Sequence, residues 1–586
     1  MSENGRIGEQ IKSFCRNIDV HLWVILAVGL LVLVAKCTIV YPVEHVGESD
    51  ASGYAEMADS LRQGKWLSVE YISFFFIKYS GMPRPEDHWP PLYSFLIAPF
   101  YVLLGKTAFA SKLPSLIISS LFLPAATYLL TKHFSKNKWA GIGAGFTVMF
   151  YPSLFMWSLY SLSDITYSFM VCLMVLFAVK GLQDGRYFYL MGFFIGLGYY
   201  GKGVTLALIP VFPLSYLIAK GSLKALLGDR KFMMGMLLAF LVIAPWWIRN
   251  AIHFGSPLHS TQNYMVNAGS PPGGSKYGVY WDKPKPSFWA TTLSLGIPHI
   301  AKQTKKYLDT HLEWVFVVMY PNPGADPPIN LKYFLTLEPL RICFRDFPKY
   351  PSGIPIGFFG IPAVIGLICL WRNRQIYIVP LVISALVLFL SIFWAPIDRL
   401  VLPSVALVAA LGWTSYSVFL NKLKNWIPSN WFTEHANKIQ ALTLILGTLV
   451  VSAYNVNTNV RLWQQGIREG KYPYVDSSRK KNRIVAGRWL RDNTPPDAIV
   501  MDAEPWDLHF YSDRQTVHQA YDTLERILWV MQTYGVTHIT YNGQESLRPL
   551  YNGEIPGFEL VNEKGMKIYQ VQYDLLPEQY QKLQFR

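Results

Sequence analysis

Two stretches of one segment hold the side chains best suited to chemistry. Glu48-Ser49-Asp50-Ala51-Ser52-Gly53-Tyr54 places two carboxylates just past a membrane-length apolar run, and Glu86-Asp87-His88-Trp89-Pro90-Pro91-Leu92-Tyr93 closes the same segment. Carboxylates beside a bilayer are costly unless they face water, a cation or a substrate, so ionisable clusters there are candidates for function. Three cations fall on the same predicted side: Lys202 in a turn, Arg249 at the end of one apolar run and Arg399 at the start of another. Arg249 is not explained by the positive-inside rule and calls for an anionic partner. Arg binds phosphate through its planar fork. The ordinary alternatives are a polar loop for the carboxylates and lipid-phosphate anchoring for isolated cations.

The elements that must position these groups are apolar. Of 586 residues, 51% are hydrophobic and 15% aromatic, while only 16% are charged, against about 25% in soluble domains. The basic residues behind the net charge of +15 lie in short clusters between apolar runs, which argues against a nucleic-acid surface. Arg6, Lys12 and Arg16 precede an uncleaved first anchor, Val20 to Val40, long enough for a bilayer at about 20 residues per helix. Lys36 in it is expected to snorkel.

Further spans are expected near 107–130, 140–157, 164–179, 187–200, 204–219, 232–248, 353–371, 376–394, 400–420 and 439–454. Basic clusters such as Lys132 to Lys138, Lys220 to Lys231 and Arg372 with Arg374 mark the cytoplasmic ends. The fold class is thus an α-helical multi-pass membrane protein of about 11 transmembrane helices with a small C-terminal α/β extracytoplasmic domain. The membrane domain takes 1–454, with a first external loop at 41–106 and a long external loop at 251–352 that covers substrate; the soluble domain takes 455–586.

In the C-terminal part, Ala498 to Met501, Val536 to Tyr541 and Lys567 to Val571 read as strands and Leu524 to Gln532 as a helix. Asp502, Glu504, Asp507 and His509 are read as the polar loop ends of such a domain. Cys15, Cys37, Cys172, Cys343 and Cys369 show no disulfide or zinc spacing. No P-loop, dinucleotide fingerprint or nucleophile elbow is present in the sequence, which argues against ATP-driven transport and serine-type hydrolysis.

The segment resembles the first external loop of GT-C type, polyprenyl-phosphate-sugar-dependent glycosyltransferases, a family with protein mannosyltransferase-like and aminoarabinose transferase-like members. Asp50 with Tyr54 four residues on, Pro90-Pro91-Leu92-Tyr93, Leu104-Gly105 and Lys112-Leu113-Pro114 carry the resemblance. Lys202-Gly203, Pro245-Trp246-Trp247-Ile248-Arg249-Asn250, Arg399-Leu400-Val401-Leu402-Pro403 and Trp489 to Pro496 extend it. One departure is His88-Trp89, where aminoarabinose transferases carry Glu-Lys.

The resemblance implies transfer of one sugar, hexosyl or pentosyl, from a polyprenyl-phosphate donor to a glycan, lipid or protein hydroxyl, with inversion. Asp50 would be the general base, a role worth roughly 10² to 10⁴ in rate. Glu48, Tyr54, Glu86, Asp87 and His88 would support it or line the acceptor site, and Lys202, Arg249 and Arg399 would bind the donor phosphate. Asp50 and His88 could also hold a divalent metal ion, although His88 has a structural alternative in packing on Trp89. The chain would sit among the lipids of a bacterial cytoplasmic (inner) membrane, N-terminus inside, with active site and C-terminal domain outside. The rival class is a transporter or flippase of lipid-linked sugars, which would favour internal repeats that the sequence does not show.

Overall fold

The computed structural model describes residues 19–47, 49–268, 275–289, 296–316, 368–393, 397–426, 430–581 and 583. Glu48, Cys15, Cys343, the expected loop residues 317–352 and nearly all of the span expected at 353–371 lie outside them.

Seven described helices are long and apolar enough to cross a membrane: Val20–Val40, Ala108–Ser135, Ser163–Gly181, Arg230–Phe254, Arg374–Phe393, Asp398–Lys422 and His435–Arg468. The pair Lys138–Phe150 and Pro152–Ser158, bent by 51°, is apolar enough to cross as well if taken together; the ring of Pro152 interrupts the hydrogen-bond ladder between them. The spans expected at 187–200 and 204–219 are shorter apolar helices, Tyr187–Gly201 and Thr205–Lys220. Local chemistry sets several starts. Asp19, Asn137 and Asp229 each accept backbone N–H bonds at the first turn of the helix that follows. Lys36 does not snorkel: it is fully buried and its Nζ donates to Ser119 Oγ at 2.8 Å.

The segment expected as a first loop is structured. It holds the helices Ser49–Arg62 and Leu92–Leu104 and the short strands β1 (Ser68–Val69), β2 (Tyr71–Ile72) and β3 (Arg84–Pro85). The C-terminal part contributes β4 (Ile499–Asp502), β5 (Gln515–His518), β6 (His538–Thr540), β7 (Phe558–Asn562) and β8 (Ile568–Val571). One six-stranded sheet, in the order β2-β5-β4-β6-β8-β7, takes its edge strand β2 from the first segment. Strands β2, β5, β4 and β6 are parallel, and β8 and β7 add antiparallel pairs. Successive residues face opposite sides: Val500 packs with Leu490 and Leu508, Met501 with Val517 and Ile527.

Several elements and contacts cross the expected boundary at 454. The last long helix, Asn430–Arg468, runs unbroken through it. The Asp476 carboxylate accepts the backbone N–H groups of Glu44 and His45, at 2.9 and 3.0 Å. Asp507 bonds Ser52 Oγ at 2.5 Å and lies 3.2 Å from His45 Nε2. His509 Nε2 lies 2.9 Å from Glu56, and Asp502 pairs with Arg483. Of the polar residues expected at loop ends, Asp507 and His509 tie the first segment to the C-terminal part, while Asp502 pairs within that part.

Candidate active site

The Ser49–Arg62 helix begins just after a sharp turn at Gly47, whose φ of 147° suits glycine, and where a Cβ would meet that of Ala51 at 2.9 Å. Asp50 sits in the first turn of this helix, where an anion is favoured by the helix dipole. Tyr54, four residues on, shares its face and meets Ser163 Oγ at 2.9 Å through its hydroxyl.

Asp50 forms an ion pair with Arg399, which stands in a 3₁₀ turn, Asp398–Val401, at the start of a membrane-length helix. The other guanidinium nitrogen, Nη1, lies 3.7 Å from Asp164 Oδ2 and makes no hydrogen bond among the described residues. Asp164 is buried in the first turn of Ser163–Gly181, and its Oδ1 lies 3.0 Å from Lys202 Nζ. Lys202 follows the C-terminus of Tyr187–Gly201, in extended conformation. Two carboxylates and two cations from four separated segments thus meet in one partly open cluster, with the Asp398 carboxyl beside it on the backbone N–H of Arg399. Burial would raise the Asp50 carboxyl, but the Arg399 guanidinium, helped by Lys202, holds it below the usual carboxylate range. Asp50 is therefore ionised at neutral pH.

Asp164 was not among the expected site residues. Its signal is of the same kind as that of Asp50, a carboxylate at the start of an apolar run, and its pairing with two cations marks it as the hub of the cluster.

The second acidic stretch sits in a buried network of its own. Glu86 is fully buried and accepts the backbone N–H groups of His88 and Trp89, at 2.6 and 3.0 Å. Asp87 takes Arg84 at 2.9 Å, the Tyr79 hydroxyl at 2.7 Å and His259 at 3.1 Å. Burial, opposed by Arg84 and reinforced by Asp87, raises the Glu86 carboxyl; for Asp87, burial is overcome by Arg84, which lowers it. Both carboxylates are committed to this buried network, because unpaired charges there would be prohibitively costly.

Arg249 lies against the end of its own helix and the first segment. Its guanidinium donates to Asn250 Oδ1 at 2.9 Å and to the Leu67 carbonyl at 3.4 Å, and stacks over Trp246 and Phe254.

His88 is buried between Phe74, at 4.7 Å between ring centres, and Trp89, at 4.1 Å. Nδ1 meets Thr261 Oγ1 at 2.8 Å, while Nε2 has no hydrogen-bond partner among the described residues. Burial pushes the ring down to about 4, so it is neutral at neutral pH, with Asp87 and Asp50 acting in the opposite sense. As for the metal, Asp50 is engaged by a guanidinium, and no group of three His, Cys, Asp or Glu is arranged to hold a metal ion among the described residues.

Residues 88–248 match the family model described as dolichyl-phosphate-mannose-protein mannosyltransferase. No curated protein matches the chain. Among solved structures, ArnT from Cupriavidus metallidurans in the apo state aligns with a TM-score of 0.57 and 12% identity over 94% of this chain and 98% of that one. The same protein bound to undecaprenyl phosphate aligns with a TM-score of 0.51 and 11% identity over the same shares, 94% and 98%. In family match and in fold, the chain is similar to the GT-C type, polyprenyl-phosphate-sugar-dependent membrane glycosyltransferases.

Proposed function

We propose that the chain transfers one sugar from a polyprenyl-phosphate donor to an acceptor hydroxyl of a glycan, lipid or protein. The observation that carries the reading is the Asp50–Arg399 ion pair with Lys202 on the neighbouring carboxylate Asp164. It sets a proton acceptor beside two cations at the end of a membrane bundle. The undecaprenyl phosphate bound to a protein of similar fold supports a lipid phosphate as donor.

In this reading the acceptor oxygen attacks the anomeric carbon on the face opposite the phosphate. The carbon–oxygen bond to phosphate breaks, the configuration inverts, and the acceptor proton passes to an Asp50 oxygen. The polyprenyl phosphate departs with the bonding electron pair, and Arg399 and Lys202 stabilise the charge that develops on it. Asp164 positions both cations. Phosphate binding draws Arg399 away from Asp50, which makes the carboxylate more basic when a proton must be taken. His88 is neutral and buried, its Nε2 without a partner among the described residues; Tyr54 supports the helix face.

The site and the α/β domain would face the outside of the cytoplasmic membrane, since the basic clusters at Lys136 and Arg372 define the inside. Cysteine labelling checks this, with Tyr541 expected to react without permeabilisation and Lys136 only after it.

The test of the reaction is Asp50→Asn in detergent, where transport has no compartments to act between. Asn keeps the shape but removes basicity, so turnover falls by at least ~10² while donor binding persists. Near-normal transfer by a folded Asp50→Asn variant would remove Asp50 from the mechanism.

A further inference from the structure

A cavity of about 980 Å³ lies behind the helix that carries Asp50. At 3.6 residues per turn, Asp50 and Tyr54 share one face of that helix while Glu56 and Asp59 lie on the other, and it is Glu56 and Asp59 that line the cavity. Its other walls come from the turn after Val20–Val40, the start of Ala108–Ser135, and the helices Ser478–Asn493 and Pro505–Ser512. The cavity is therefore separate from the Asp50 cluster.

Both signs of charge meet in it. Lys106 Nζ lies 2.9 Å from Asp513, 3.5 Å from Asp59 and 3.8 Å from Glu56, and His509 Nε2 lies 2.9 Å from Glu56. Burial would raise Glu56, but His509 and Lys106 bring it down to about 2, so the floor is charged. Nearer the surface stand Arg488, paired with Glu44 at 2.6 Å, and Arg491. Exposed pairs of this kind are worth only ~0–1 kcal/mol, so they open to a ligand at little cost.

The mouth borders the membrane zone. Tyr41, the residue after the first membrane-length helix, is 74% exposed and lines the cavity with Leu104, 50% exposed. Tyrosine favours the level of lipid headgroups. A simple anion entering here would lie against Asp59 and Asp513, and a simple cation against Lys106 and Arg62. A headgroup with a phosphate and a primary ammonium on a short linker answers both. The phosphate suits the guanidinium forks of Arg488 and Arg491, and the ammonium can donate to the carboxylates.

We propose that this cavity is a binding site for the headgroup of a phosphoethanolamine-type membrane phospholipid, on the back of the helix that bears Asp50. A choline headgroup lacks the N–H donors that could exchange with Lys106 and Arg62 on these carboxylates, and a glycerol headgroup lacks the positive charge. The site does not depend on the glycosyl-transfer reading, because lipid retention is measured without any reaction.

The experiment is native mass spectrometry of the full chain in detergent with equimolar phosphatidylethanolamine, phosphatidylcholine and phosphatidylglycerol of identical acyl chains. The expected result is retention of one phosphatidylethanolamine at roughly fivefold or more over either competitor, the scale of a few charge-assisted contacts. Arg488→Gln with Arg491→Gln, both at exposed side chains and so tolerated by the fold, abolishes the preference, whereas Arg186→Gln, outside the cavity, preserves it. Equal retention of the three lipids, or an unchanged preference in the folded Arg488→Gln/Arg491→Gln variant, overturns the site.

Discussion

Asp50 and Arg399 stand 349 residues apart in the chain and form one ion pair. In the proposed reaction the same guanidinium serves the carboxylate before the donor arrives and the phosphate afterwards. Binding of the donor and strength of the base are thereby coupled through one side chain.

Arg399→Ala is expected to lower transfer by at least ~10², since it removes a preorganised donor from the leaving group. Arg399→Lys restores only part of this, because the charge returns without the fork. Titration of the polyprenyl-phosphate donor against initial rate distinguishes the two, and wild-type donor kinetics in both folded variants would remove Arg399 from the donor site.

The pH dependence follows from the direction of the Asp50 shift. Its carboxyl is held below the ordinary 3.8, so the ionised form persists as pH falls and is lost only through that lower value. The same pairing contributes stability that is complete above the unfolded value and fades as pH falls through the folded one. Arg399→Gln keeps the burial and removes the guanidinium, so the acid limb of kcat/KM moves to higher pH. Identical acid limbs for wild type and the folded variant would contradict the coupling.

Arg84→Met tests the assignment of Glu86 and Asp87 to structure. Arg84 is buried and bonds Asp87 at 2.9 Å, and loss of one partner of a buried pair costs about 3–5 kcal/mol. The midpoint of thermal or denaturant unfolding should drop accordingly. An Arg84→Met protein as stable as wild type would mean that these carboxylates are free for a role at the site.

Tyr54→Phe removes the 2.9 Å contact with Ser163. A loss of about 0.5–1.5 kcal/mol in stability is expected, with turnover changed less than tenfold. A fall of ~10² or more in turnover at normal donor affinity would place the Tyr54 hydroxyl in the chemistry instead.

Membrane-length helices and three of the C-terminal strands were written in local pattern. The run Val20–Val40 and the strands at Ile499–Asp502, His538–Thr540 and Ile568–Val571 follow from apolar length and β-branched alternation, which act between neighbours in the chain. Asp50, Tyr54, Lys202 and Arg399 could be singled out in the same way, as ionisable or polar groups at the ends of apolar runs.

Which partner each of them meets was decided by tertiary structure alone. An ion pair needs its atoms within a few ångströms, and the sequence is equally compatible with Asp50 facing Arg249, Lys202 or Arg399. The chain path brings Arg399 to Asp50, makes Asp164 the hub for Arg399 and Lys202, turns Arg249 onto Trp246, and closes Glu86 and Asp87 around Arg84. It likewise pairs β2 with β5 across more than 400 residues, Tyr71 opposite Thr516, which no local pattern encodes because a two-residue strand takes its conformation from the edge it joins.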